Sequence, residues 1–250
     1  MAFRKNNTYK YEPGKTFKLS RSGIDSFIKC KRCFYLNKVG NIKDIGMPGF
    51  SLNSAHDELM KKELDIYREN GEAHPYMESL KRNLIPFQHE NMEDWRNNFK
   101  GVTYHHKKTD LIITGSVDDV WIDTDTEELV IVEYKSTSTQ SEIDLNDGTP
   151  WKEQYKRQID IYQWLFKMNG FKVADDSVFL YSNGLKTSKK FKDVMKFKTY
   201  VLEYRGSTDW VEEKIFEIKK VLDEDKLPDS SETCDTCSYV SSVIELERNT

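Results

Sequence analysis

The motif CKRC at residues 30–33 is answered about two hundred residues later by CDTC at 234–237, and the chain has no other cysteine. Two C-x-x-C pairs with none to spare are the arrangement of a four-thiolate site, for zinc or for an iron–sulfur cluster. Disulfides are the weaker reading, because the opening MAFRKNNTYKYEPGKTFKLS lacks the apolar core of a secretory signal. A site built from Cys30, Cys33, Cys234 and Cys237 would tie the first helix to the segment after the last one. Whatever lies between must therefore bring the chain back to its start, which makes this site structural first.

At the centre of that span, residues 111–135 read LIITGSVDDVWIDTDTEELVIVEYK. An apolar run to Ile122, a polar turn DTDTEE and a second run from Leu129 to Val132 mark a β-hairpin. Glu133 and Lys135 are one residue apart, so on a strand both project to the same face, and Asp118 falls in the partner strand. Charge at a strand end is ordinarily a solvated ion pair. Here Val130, Ile131 and Val132 form a continuous apolar run, as in a strand buried on both faces, and such a strand ending in charge needs a partner for it. Two carboxylates converging beside a lysine are a site for a hard divalent cation and the water it activates.

The flanking segments read as follows. Residues 1–17 are polar, with little structure expected. Ser20 or Ser22 can cap a helix running to about Asn37, with Ile24, Phe27, Ile28, Phe34 and Leu36 at its apolar positions. A second helix begins near Ser51 or Asn53, where Leu52, His56 and Met60 share a face, so His56 points inward; a lone inward histidine is more often a core residue than a ligand. Residues 71–100 read as two helical pieces broken near Gly71–Pro75 and Pro86. A polar loop, 136–150, leads to a helix from Trp151 to Met168, on which Gln158 and Tyr162 stand one turn apart and can point to one spot. A strand SVFLYS, a lysine-rich turn, a strand from Phe197 to Tyr204 and a helix from Ser207 with Val211, Ile215, Ile218 and Leu222 on one stripe complete the pattern.

Net charge is −4, which speaks against a uniformly basic coat. The positive charge is nonetheless clustered: at Lys29, Lys31, Arg32 and Lys38; at His105 to Lys108; and at Lys186, Lys189, Lys190 and Lys192. Such patches can track a phosphate backbone on an acidic protein, although each is commonly a solvated face. No apolar run approaches the ~18 residues of a spanning helix. The default location is the cytoplasm, or the host cytoplasm for a viral protein.

The series His56, GSVD with Asp118, EYK with Glu133 and Lys135, and QIDIY with Gln158 and Tyr162 resembles the PD-(D/E)XK nuclease superfamily. The histidine, the Gln-x-x-x-Tyr helix and the opening SRSGIDSFIKCKRCFYL look like its RecB-like branch, including CRISPR-associated RecB-like exonucleases and the AddB nuclease domain. The matches run from Ser20 to Cys237. The resemblance implies that Asp118, Glu133, His56 and the main-chain carbonyl of Tyr134 hold Mg²⁺ or Mn²⁺. Lys135 would orient or help deprotonate the attacking water, with Gln158 and Tyr162 holding the lysine or a phosphate. Relatives with a [4Fe–4S] cluster take one cysteine from the N-terminal motif and three from the C-terminal end; here the split is two and two, with Lys31 at the motif proline, so zinc is a serious rival, while the resemblance itself favours the cluster because the relatives carry one.

The implied fold is α/β, a restriction-endonuclease-like core with a central mixed sheet of four or five strands flanked by helices. An N-terminal helical region would be tied to the C-terminus by the four-cysteine site. One nuclease domain is expected over 18–240, with a helical region 18–100, a catalytic core 101–205, a C-terminal helix and cysteine segment 206–240, and a tail 241–250. The implied function is a metal-dependent DNA exonuclease on single-stranded ends, with possible endonuclease activity, in repair, recombination, phage replication or CRISPR adaptation. A helicase or recombination partner fits that setting. The alternative is a non-catalytic nucleic-acid-binding module of the same fold, whose mark would be a missing motif residue; none is missing.

Overall fold

The computed structural model describes residues 10–43 and 49–249. In chain order its elements are β1 (Phe17–Ser20), α1 (Arg21–Lys29), α2 (Lys31–Lys38), α3 (Ser51–Asn70), β2 (Leu84–Pro86), α4 (Met92–Arg96), β3 (Val102–His106) and β4 (Leu111–Gly115). They continue with β5 (Asp119–Asp123), β6 (Leu129–Thr137), α5 (Pro150–Met168), β7 (Asp176–Gly184), β8 (Phe197–Arg205), α6 (Asp209–Asp223) and α7 (Asp235–Arg248). Two compact units emerge: among the described residues, one takes 49–104 and 115–208, the other 10–43, 105–114 and 209–249. None of the described helices is long and apolar enough to cross a membrane.

The first of these units is built on a five-stranded mixed sheet in the order β2-β5-β6-β7-β8. Only β6 and β7 run parallel, with Glu133 opposite Phe179 and Lys135 opposite Tyr181. Because β6 is central, Val130, Ile131 and Val132 are all fully buried. The side chains then divide by parity. Val130, Val132 and Tyr134 join Met60 and Leu64 of α3, together with Trp121, in one apolar cluster, while Glu133 faces the opposite side, toward α5. Helices on both faces thus sandwich the strand that carries the charged end. Burying a side chain such as Leu64 or Val132 contributes about 1.5–3 kcal/mol, and Trp121, also without exposure, is among the largest contributors.

The hairpin of the sequence reading is present but shorter. Residues 111–122 are two strands, not one: β4 belongs to a different sheet, and β5 alone pairs with β6. The break falls at residues 116–118, so Asp118 precedes β5 instead of lying in it. Between 71 and 100 the two expected helical pieces shrink to a 3-10 turn, Pro75–Ser79, and the five-residue α4, with a strand between them. Gly71 closes α3 with a left-handed backbone (φ 68°), Pro75 opens a single 3-10 turn, and Leu84–Pro86 pairs antiparallel with β5. Pro86 is tolerated because β2 is an edge strand, where one N–H is not needed by a neighbour.

In the other unit β1 runs parallel to β4, with Phe17 opposite Leu111, in a three-stranded sheet completed by β3. Ser20 caps α1, its Oγ accepting from the Gly23 N–H at 3.1 Å. The expected helix to Asn37 is interrupted at Cys30, whose backbone is extended (φ −159°, ψ 111°), so it reads as α1 and α2. α6 buries Val211, Ile215, Ile218 and Leu222 as the period required and packs against α1 and α2. Two segments are more ordered than their composition implied. Tyr11 is 2% exposed, its hydroxyl donating to Asp223, and the expected tail at 241–249 lies almost wholly within α7, a helix with no buried residue.

Candidate active site

Asp118, Glu133, Lys135, Gln158 and Tyr162 are brought together in the unit that holds the five-stranded sheet. Glu133 is 3% exposed; its Oε1 accepts from Lys135 Nζ and from Gln158 Nε2 at 2.7 Å. The same Gln158 amide donates to the Tyr162 hydroxyl at 2.9 Å, and its carbonyl oxygen turns toward Lys135 at 3.5 Å. Gln158 therefore reads both charged groups at once, anchored by a buried phenol. Tyr162 owes its place to Gly115: a Cβ there would stand 2.5 Å from the tyrosine ring. Lys135 also lies over the Tyr155 ring, 4.4 Å from its centroid, a cation–π contact absent from the sequence reading.

Asp118 enters from the irregular segment ahead of β5, which is held by the Val117 N–H donating to the Trp95 carbonyl at 3.1 Å. Its Oδ2 accepts from the Tyr134 N–H at 2.9 Å, and Lys61 of α3 approaches Oδ1 at 3.5 Å. Burial disfavours the charge on Lys135, but Glu133 and Asp118 outweigh it and hold the ammonium above the ordinary lysine range. One partly buried cation thus senses both carboxylates.

Behind these residues is a charged network that periodicity did not disclose. Asp119 is fully buried. It accepts from Arg68 of α3, from Arg96 of α4 at 2.9 Å and, through Oδ2, from the Tyr134 hydroxyl at 2.7 Å. Arg96 continues to Asp65 at 2.8 and 3.0 Å. Asp118 is bonded to the main chain of Tyr134 and Asp119 to its side chain, so β5 and β6 are pinned to each other beside the two acids. The signal in the sequence was the adjacency of Asp118 and Asp119, which must face in different directions on a strand.

His56 stands on α3 with Asn53, Met60, Lys61, Leu64 and Arg68 at helical spacing on the stripe that meets the sheet. Asn53 reaches Ser136 of β6 at 2.8 Å. Leu52, expected on that stripe, is instead 78% exposed. The imidazole is largely buried; it lies 5.4 Å from the Phe197 ring, with Nδ1 3.3 Å from Asp57. Among the described residues, the one group of three or more His, Cys, Asp or Glu side chains with ligand atoms within 4.8 Å of one another is the four cysteines; His56, Asp118 and Glu133 do not form a second. Their chemistry still fits a hard divalent ion: Glu133 on β6 and Asp118, bonded to the Tyr134 N–H beside it, are carboxylate donors, and an imidazole suits Mn²⁺. Such an ion would compete with Lys61 for Asp118 and with Lys135 for Glu133.

In the other unit the cysteine sulfurs converge from both ends of the chain. Cys33 Sγ lies 3.4 Å from Cys237 and 3.6 Å from Cys234, and Cys30 lies 3.8 Å from Cys237. Burial alone would raise the Cys30 thiol, but N–H groups of Ser231 and Cys33 bring it down to about 7. Burial and the neighbouring thiols push Cys33 up. Four thiols packed this closely resist joint ionisation unless a cation holds them, and the donor set fits a thiophilic metal.

Comparison with curated proteins returns no match. Residues 51–242, more than half of the chain, match the model of one family, running from the start of α3 into α7 just past Cys237. On that match the chain belongs to the PD-(D/E)XK nuclease superfamily.

Proposed function

We propose that this protein is a metal-dependent nuclease that hydrolyses DNA phosphodiester bonds, acting as an exonuclease on single-stranded ends. The observation that carries the reading is the partly buried Lys135, paired with the Glu133 carboxylate and held by Gln158. Asp118, Glu133 and the Tyr134 carbonyl would hold Mg²⁺ or Mn²⁺, joined by His56 from α3. When bound, the ion supplies Lewis acidity at the phosphoryl oxygens and a water of lowered pKa. Lys135 aims that water, Gln158 fixes the ammonium and the Glu133 carboxylate relative to each other, and Tyr162 fixes Gln158. The single-stranded end follows from the resemblance to RecB-like exonucleases.

The test incubates labelled single- and double-stranded DNA with Mg²⁺, Mn²⁺ or EDTA, using Asp118→Ala and Lys135→Ala as controls. Metal-dependent loss of the single strand, abolished in both variants, is the expected result; wild-type activity in either removes the mechanism.

The four thiolates are proposed to fasten the N-terminal helices to α7 through a metal. Three of their separations are 3.4–3.8 Å and all lie within 4.8 Å, which supports zinc, since sulfurs about 2.3 Å from a single tetrahedral ion stand about 3.8 Å apart. A colourless protein with one equivalent of zinc is the expected outcome, and a visible iron–sulfur absorption band refutes it in favour of a [4Fe–4S] cluster.

A further inference from the structure

β7 and β8 continue beyond the charged end of β6. Lys135 pairs with Tyr181, Thr137 with Asn183, and the last rung joins Gly184 to Phe197, about 10 Å further along the sheet at ~3.3 Å per residue. Past that rung the hairpin carries residues 185–196. Its root is fastened to the chain that leaves β6: Ser138 Oγ donates to the Gly184 carbonyl at 2.8 Å, and Lys186 donates to the Ser138 carbonyl at 3.1 Å. Phe197 lies against His56.

The content of this hairpin is unlike that of the rest of the chain. From Lys186 to Lys198 it holds six lysines against one acid, Asp193, in a protein of net charge −4. Every residue from 186 to 198 is exposed, including Phe191 at 68% and Phe197 at 44%. The tip is shaped: the Val194 N–H donates to the Phe191 carbonyl at 3.1 Å, and both intervening residues, Lys192 (φ 48°) and Asp193 (φ 56°), are left-handed. Two positive φ angles in succession are those of a type I′ turn, which glycine or asparagine fills at lower cost. The turn sets Phe191 beside Lys192 at the summit instead of letting the loop collapse its apolar residues inward.

Phe191, 68% exposed and set among lysines, serves no folding purpose visible in the sheet. The occupant that matches both must be polyanionic and must offer flat apolar faces. An unpaired nucleic-acid strand does both, whereas a duplex keeps its bases in the stack and presents phosphate alone. Resting on the nuclease reading above, we infer that the β7–β8 hairpin is a strand-binding finger. Phe191 stacks on an unpaired base, and the lysines follow the phosphates toward the root beside His56 and the β6 exit.

The experiment measures fluorescence anisotropy of a labelled DNA single strand and of the matching duplex, in EDTA, across a salt series, with the full chain. Lys189→Ala/Lys190→Ala/Lys192→Ala should flatten the log affinity against log salt slope by about 2, at ~0.7 per phosphate contact of a single strand. Phe191→Ala should weaken the single strand about tenfold or more and leave the duplex unchanged. Unaltered single-strand affinity in Phe191→Ala, an equal loss on the duplex, or an unaltered salt slope in the lysine variant each overturns the inference. A wild-type chain that degrades DNA while these variants bind normally leaves the nuclease standing without the finger. A chain inert with every metal whose variants bind poorly does the reverse.

Discussion

Replacing Asp119 by alanine removes the one acid shared by two buried guanidiniums and a buried phenol. Its side chain has no exposure, and those of Arg68 and Arg96 are 7% and 10% exposed. Truncation leaves Arg68 and Arg96 only Asp65, whose side chain is 41% exposed, and strands the Tyr134 hydroxyl; breaking a buried pair from one side costs about 3–5 kcal/mol. At 2–4 °C per kcal/mol for a domain of this size, Tm should fall by about 6–20 °C. The companion Tyr134→Phe loses one hydrogen bond to a charged acceptor and should cost only about 1.5–3 kcal/mol. Substituting Asp119, Arg68 and Arg96 together by leucine and methionine should recover most of the loss, because the penalty is that of orphaned charge and not of absent attraction. Urea midpoints and thermal melts of the four proteins decide the matter. A loss below about 1 kcal/mol in Asp119→Ala would show that water reaches the network, and the pinning of β5 to β6 would then need another cause.

Three further outcomes follow from the geometry. Gly115→Ala forces a Cβ to within 2.5 Å of the Tyr162 ring, so it should cost about 1–3 kcal/mol by overpacking and lower nuclease activity; a melt identical to wild type refutes the clash. Gln158→Ala, by freeing Glu133 and Lys135 from their common amide, should weaken metal affinity or activity about 10–100-fold, read from the metal dependence of cleavage; an unshifted curve contradicts the positioning. Asp123 supplies the pH case: burial would raise its pKa, but Arg82 at 2.7 Å and the N–H groups of Asp125 and Thr126 outweigh that and hold it low. With a folded value below the unfolded one, of about 3.9, its contribution is present above that pH and lost as pH falls through the folded value. Asp123→Asn should flatten the acid limb of Tm against pH below about pH 4; superimposable limbs for the two proteins would discount it.

How much was readable from sequence follows from which physical signal each part carries. α3, α5, β6, β7, β8 and α6 are long or strongly periodic, and they lie where their patterns place them. Glu133 and Lys135 needed only the two-residue repeat of a strand to share a face, and Gln158 and Tyr162 only one helical turn. β1 and β2 escaped because three or four residues carry no period, and β2 contains a proline that argues against a strand unless it is known to be an edge. The long apolar run 111–122 concealed a break because residues buried in two different sheets look alike. Asp119 is only hinted at by its adjacency to Asp118: a buried acid is recognisable through its partners, and Arg68 and Arg96 arrive from α3 and α4, far apart in the sequence. The stripe on α3 was misjudged at Leu52 since the sheet-facing side there is polar, using Asn53 to reach Ser136.

The cysteine closure also sets a timetable. Cys30 and Cys33 leave the ribosome about two hundred residues ahead of Cys234 and Cys237, which at ~5–20 residues per second is an interval of about 10–40 s. During it the early thiols have no partners from the far end, while residues 49–208, bearing the five-stranded sheet, have already emerged. A metal held as proposed would therefore be loaded last, and a nascent chain released short of α7 would carry every acid and lysine of the proposed cleavage centre with an unfinished clasp.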